Sequence, residues 1–153
     1  MVGMVRRIVL GLAVLTAAVV VAVAVAGGSS EQRCGQAVDR GVLPEWARTG
    51  FSDKEPKIAH VIGREGELAA ILFGDPLTAP PDSEHSNKIL WVARRTPPPG
   101  PLELTAVQGD RTERRTIESG PGPSGVDLPA GCWRIRATWP GGADELDLRY
   151  VKG

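Results

Sequence analysis

Beyond Lys57 the chain is a succession of short apolar runs, at 58–62, 68–73, 88–93, 102–107, 114–117, 125–128, 132–138 and 144–151. Between them lie turn clusters such as Gly63-Arg64-Glu65-Gly66, the proline tract 96–101, Gly109-Asp110 and Gly120-Pro121-Gly122-Pro123. Strand-length runs at this spacing, with no amphipathic stretch long enough for a crossover helix, predict an all-β, antiparallel β-sandwich of about 7–8 strands. Runs 68–73 and 89–93 are apolar at nearly every position, which marks strands covered on both faces and so central in their sheet.

The last two runs alternate strictly. Trp133, Ile135, Ala137 and Trp139 are interleaved with Arg134, Arg136 and Thr138, and Leu146, Leu148 and Tyr150 with Glu145, Asp147 and Arg149. Pairing Trp133 with Leu148 and Ile135 with Leu146 buries both dry faces and sets Arg134 against Asp147 and Arg136 against Glu145. A register shifted by two would set Arg134 against Arg149. Opposite charges add about 0.2–1 kcal/mol per cross-strand pair and like charges subtract, so the first register is expected. It leaves a four-residue loop, Trp139-Pro140-Gly141-Gly142.

Upstream the pattern changes character. Arg6-Arg7 is followed by 19 residues without a charge, from Ile8 to Ala26, interrupted only by Gly11 and Thr16. A spanning helix needs about 20 apolar residues and a cleavable signal core about 7–15, so length favours a retained anchor. Ala24-Val25-Ala26 before Gly27 offers the alternative, a secreted protein cleaved near Ala26. Either way the downstream domain is exported; with Arg6 and Arg7 held on the cytoplasmic side, a retained segment is single-pass in the cell membrane with the C-terminal domain extracytoplasmic. The expected organisation is a signal-anchor or transmembrane segment over 1–28, a stalk over 29–57 with room for one helical turn near Leu43-Pro44-Glu45-Trp46-Ala47-Arg48, and a β-sandwich over 58–153.

Charge and cysteines refine this picture. All 18 acidic residues follow the apolar segment and two of the 18 basic ones precede it, so the remainder is nearly neutral, two charges to the negative side. That excludes the basic surplus of nucleic-acid binding, and no run of basic residues marks a polybasic membrane patch. Cys34 and Cys132 are the only cysteines. In an oxidising compartment an even pair is expected to be a disulfide, and the alternation puts Cys132 on the Arg134 face, outside the core.

Candidate chemistry is sparse. Gly120 to Gly125 spells G-x-G-x-x-G, but a strand rather than a helix follows it, and two prolines remove amide donors, so it reads as a turn and not a dinucleotide loop. His60 lies in a strand. His85 lies in the polar loop Asp82-Ser83-Glu84-His85-Ser86-Asn87, where clustered polar residues are what solvation alone produces. Neither that loop nor Ser86 has the spacing of a metal site or a nucleophile, so no metal, cofactor or enzyme activity is expected. Trp91 and Trp133 fall at core positions. Trp46 and Trp139 are the two aromatic candidates for a partner surface.

The run Leu128-Pro129-Ala130-Gly131-Cys132-Trp133-Arg134, with Trp139 and the terminal Leu146-Asp147-Leu148-Arg149-Tyr150, resembles the closing hairpin of secreted or membrane-anchored Ig-like domains of high-GC Gram-positive bacteria. Asn87-Lys88-Ile89-Leu90-Trp91-Val92 is similar to a recurrent strand of the same proteins. The resemblance implies an Ig-like sandwich and no known activity. Such proteins often carry a lipoprotein cysteine, whereas here Glu31-Gln32-Arg33 precedes Cys34. The expectation is a membrane-anchored extracytoplasmic domain with an interaction or structural role in the cell envelope. Its partners would be the membrane through Ile8 to Ala26 and an envelope protein or cell-wall component. The alternative is a secreted binding module for a cell-wall glycan or small solute.

Overall fold

The computed structural model describes residues 34–81 and 86–153. The apolar segment 8–26 and the loop positions Asp82, Glu84 and His85 lie outside them. The described chain is all-β apart from one 3-10 turn, Glu45–Ala47, which follows Pro44.

Among the described residues nine strands form two sheets. They are β1 (His60–Ile62), β2 (Leu68–Leu72), β3 (Leu77–Ala79), β4 (Lys88–Ala93), β5 (Leu102–Gln108), β6 (Arg111–Ile117), β7 (Pro123–Gly125), β8 (Gly131–Trp139) and β9 (Gly142–Lys152). One sheet has the order β1-β2-β4-β7 and the other β3-β9-β8-β5-β6. All pairs are antiparallel except β3 with β9.

The core lies between the sheets. From the first come Val61, Leu68, Ala70, Leu72, Ile89 and Trp91; from the second Leu104, Trp133, Ile135, Leu146, Leu148 and Tyr150, all buried. Ala70 stands opposite Trp91, a small residue beside the indole that fills the space above it. Every residue of β2 is buried, as expected of a strand covered on both faces. Its second cover is residues 34–57, read from sequence as a stalk: Leu43 and Ala47 are fully buried, and Asp39 bridges to His60 and Val42 to Lys57. Irregular backbone covers the sheet here because its polar groups are satisfied by those bridges.

The register of β8 and β9 is the expected one, with Trp133 opposite Leu148, Ile135 opposite Leu146, Arg134 opposite Asp147 and Arg136 opposite Glu145. The loop between them is shorter than four residues. Trp139 pairs with Gly142, leaving Pro140 and Gly141, and Gly141 has φ of 88°. Proline fixes the first turn position, and glycine alone enters the left-handed region at the second without strain.

Two edge strands depart from the sequence pattern. β3 is three residues between Pro76 and Pro80, too short for a periodicity. β7 takes Pro123 to Gly125 out of the glycine-proline turn; it forms a sheet edge, where a missing N–H is tolerated. Val126 and Leu128, expected on that strand, leave the sheet and close the end of the core as loop residues.

Candidate functional site: the outer face of the five-stranded sheet

Cys132 is on the outer face of β8, and its disulfide to Cys34 (Cα–Cα 5.3 Å) draws the start of the described chain across that face. Two residues on, Gln36 makes two bonds: its Nε2 donates to the Ile62 carbonyl at 2.9 Å, and its Oε1 accepts the Asp147 N–H at 2.9 Å. The segment thereby joins the end of β1 in one sheet to β9 in the other.

This crossing changes the environment of β9. Asp147, expected on a wet face, is only 4% exposed. Its Oδ2 accepts from Arg64 Nη2 at 3.0 Å, and Arg64 Nη1 donates to Glu145 Oε1 at 3.0 Å. Arg134 Nε lies 3.5 Å from Glu145 Oε1 and 3.8 Å from Asp147 Oδ1. Two guanidinium groups thus balance two carboxylates. Arg136, opposite Glu145 in the ladder, does not join them. The participation of Arg64 was not legible, since the residue belongs to the β1–β2 turn, 81 positions before Glu145. Among the described residues Asp147 Oδ1 finds no hydrogen-bond donor. Beside it is a hollow of about 260 Å³ bounded by Val107, Gln108, Cys132 and Arg134.

Asp144, on the core side of β9, is a second buried carboxylate. Its Oδ1 accepts the N–H groups of Glu65 and Glu145, and its Oδ2 those of Glu67 and Leu68, at 2.7 to 3.0 Å. The β1–β2 turn is built on this anion. A methyl group at Gly63 would stand 2.1 Å from Asp144 Oδ2, so only glycine fits there.

Comparison with known proteins assigns no relative. No family model, curated protein or solved structure matches the chain.

The remaining candidates fall elsewhere. Trp139 is 8% exposed and belongs to the core, touching only a shallow hollow beside Arg95 and Pro98. Trp46 is half-buried, with the Arg94 guanidinium 6.0 Å from its ring centre. Of the two indoles, Trp46 is the more exposed. Trp91 and Trp133 are buried, their Nε1 groups donating to Ser124 Oγ and the Pro129 carbonyl. His60 is buried too, its Nδ1–H donating to the Ile58 carbonyl at 2.8 Å. Asn87 acts as a cross-brace: it accepts the Thr78 N–H and donates to the Thr78 carbonyl and Asp127. Tyr150 donates to the Val126 carbonyl at 2.6 Å, and burial, with the nearby Asp127 charge, holds its pKa well above the usual tyrosine value.

Proposed function

We propose that the chain is a membrane-anchored extracytoplasmic Ig-like domain that acts by binding or supporting another envelope component, without catalysis. The observation that carries this reading is the disulfide at Cys34, eight residues after the last apolar position of 8–26. A cross-link of this kind persists in oxidising compartments, and an uncharged 19-residue segment directly upstream supplies both export and attachment. The buried polar side chains support the non-catalytic part. Asp144, Asn87 and His60 each bond main-chain groups, work that fixes a scaffold.

The test is expression of the full chain in a bacterial host, followed by carbonate extraction and alkylation of free thiols. The anchored reading requires the intact chain in the carbonate-resistant membrane fraction with both cysteines protected from alkylation. A chain beginning at Gly27 in the soluble fraction, or two free thiols, overturns it.

A second reading, a secreted module for a small solute or cell-wall glycan, is favoured by a cleft of about 430 Å³. It lies between the entering segment and β9 and is lined by Ala37, Val38, Arg40, Pro76, Arg149 and Val151. Volumes of this order accept small ligands. Titration with muropeptides under heat-release calorimetry separates the two readings; no measurable heat removes the second.

A further inference from the structure

The crossing segment and Arg64 cover only the β9 side of the outer face. Among the described residues nothing covers the β5–β6 side, and there the ladder places Thr105 between Arg114 on β6 and Arg136 on β8. Both arginines are exposed, and among the described residues neither makes an ion pair, Arg136 included, although Glu145 stands opposite it in the ladder. Val107, next along β5, is 40% exposed. Arg134 is neutralised within its cluster; Glu103, accepting from the Thr116 hydroxyl at 3.0 Å, is the one acid at the outward strand positions of β5, β6 and β8 among the described residues, with Asp110 and Glu118 beyond the two ends of β6. A nearly neutral domain thus carries a locally cationic, threonine-lined sheet face. No basic run announces it, because its charges come from strands 22 residues apart in sequence.

The disulfide says which way this face is turned. Cys34 is bonded to the same outer face, on β8, so the chain leads off from this side toward the apolar segment. Ala26 and Cys34 are separated by eight residue steps, a reach of at most about 28 Å. If residues 8–26 sit in a bilayer, the Arg114–Arg136 face is on the side of the domain from which the tether runs to it. A tether this short holds the face at roughly millimolar effective concentration near the headgroups, enough for a weak contact to persist.

We propose that the bare outer face of β5, β6 and β8, centred on Thr105 between Arg114 and Arg136, docks on the anionic phospholipid headgroups of the membrane that holds the chain. The guanidinium groups bind phosphate oxygens, the threonine hydroxyls donate to glycerol and phosphate oxygens, and Val107 sits at headgroup depth. The inference rests on the anchored reading above. It commits to lipid over a soluble polyanion because the tether starts on this side of the domain and is too short to carry it far from the bilayer.

The experiment uses the full chain in nanodiscs of phosphatidylcholine, with or without phosphatidylglycerol, and arginine-directed dicarbonyl labelling read by peptide mass spectrometry. Arg95, with a side chain 79% exposed in the loop after β4 of the other sheet, is the internal reference. Labelling of Arg114 and Arg136 is expected to slow about fivefold in the anionic discs and to recover in about 0.5 M salt, with Arg95 unchanged. Equal labelling in both discs, with the chain retained in them, overturns the docking and leaves the anchor standing. A chain that elutes free of the discs overturns the anchored reading and this inference together. Soluble polyphosphate that protects the two arginines on neutral discs as well as phosphatidylglycerol does overturns the lipid as occupant.

Discussion

Asp144 is the residue on which the two sheets most depend outside the apolar core. Four N–H groups converge on one carboxylate that is 4% exposed, so Asp144→Ala strands several buried donors at once. Loss of about 3 kcal/mol is expected in urea unfolding, and Asp144→Asn, which keeps one acceptor oxygen, loses less. Tyr150 gives a sharper test because it is the only tyrosine. Its pKa is raised above the ordinary 10.0, chiefly by burial, so the folded state holds the proton longer than the unfolded chain. The resulting stabilisation is complete below about pH 10 and is lost as pH rises above it. Ultraviolet titration of the native protein should show no tyrosinate at pH 10.5, with the signal appearing on unfolding. Tyr150→Phe should lower stability by about 1 kcal/mol at pH 7 and weaken the alkaline decline.

Among elements, the entering segment 34–57 behaves as a strap across both sheets. The disulfide closes a separation of 98 residues, and on the chain-entropy view the double change Cys34→Ser with Cys132→Ser should cost about 4–5 kcal/mol. The loss is measured as a fall in guanidinium midpoint, and with it the amides of Asp39 and Leu43 should exchange faster, since both are held only by bridging bonds to β1 and to Pro56. The strap was hard to read because its register is set by three-dimensional partners and not by any period of its own. β8 and β9 were legible for the opposite reason: one face is dry and one wet, so alternation and cross-strand charge fix the pairing. The same alternation misplaced Asp147, whose solvent side is roofed by Gln36 and Arg64 from far along the chain. It also missed β3 and β7, whose three-residue edges carry proline. The disulfide followed from two cysteines and the expectation of export. The arginine pair at Thr105 needed the ladder.

At the scale of the whole molecule, order in sequence and order in space diverge. β9 ends the domain yet lies between β3 and β8, with its side chains in the core and Asp144 under the β1–β2 turn. Removal of residues 142–153 should therefore leave no cooperative fold, seen as loss of near-ultraviolet circular dichroism. During synthesis the growing polypeptide has no complete five-stranded sheet to settle into until its final strand emerges. On the exported reading proposed above, that delay suits passage through a protein-conducting channel, which requires an unfolded chain. The partner cysteines lie 98 positions apart, and Gln36 beside Cys34 is held on β9 through Asp147, so oxidation should come late, sealing a finished domain instead of guiding its assembly.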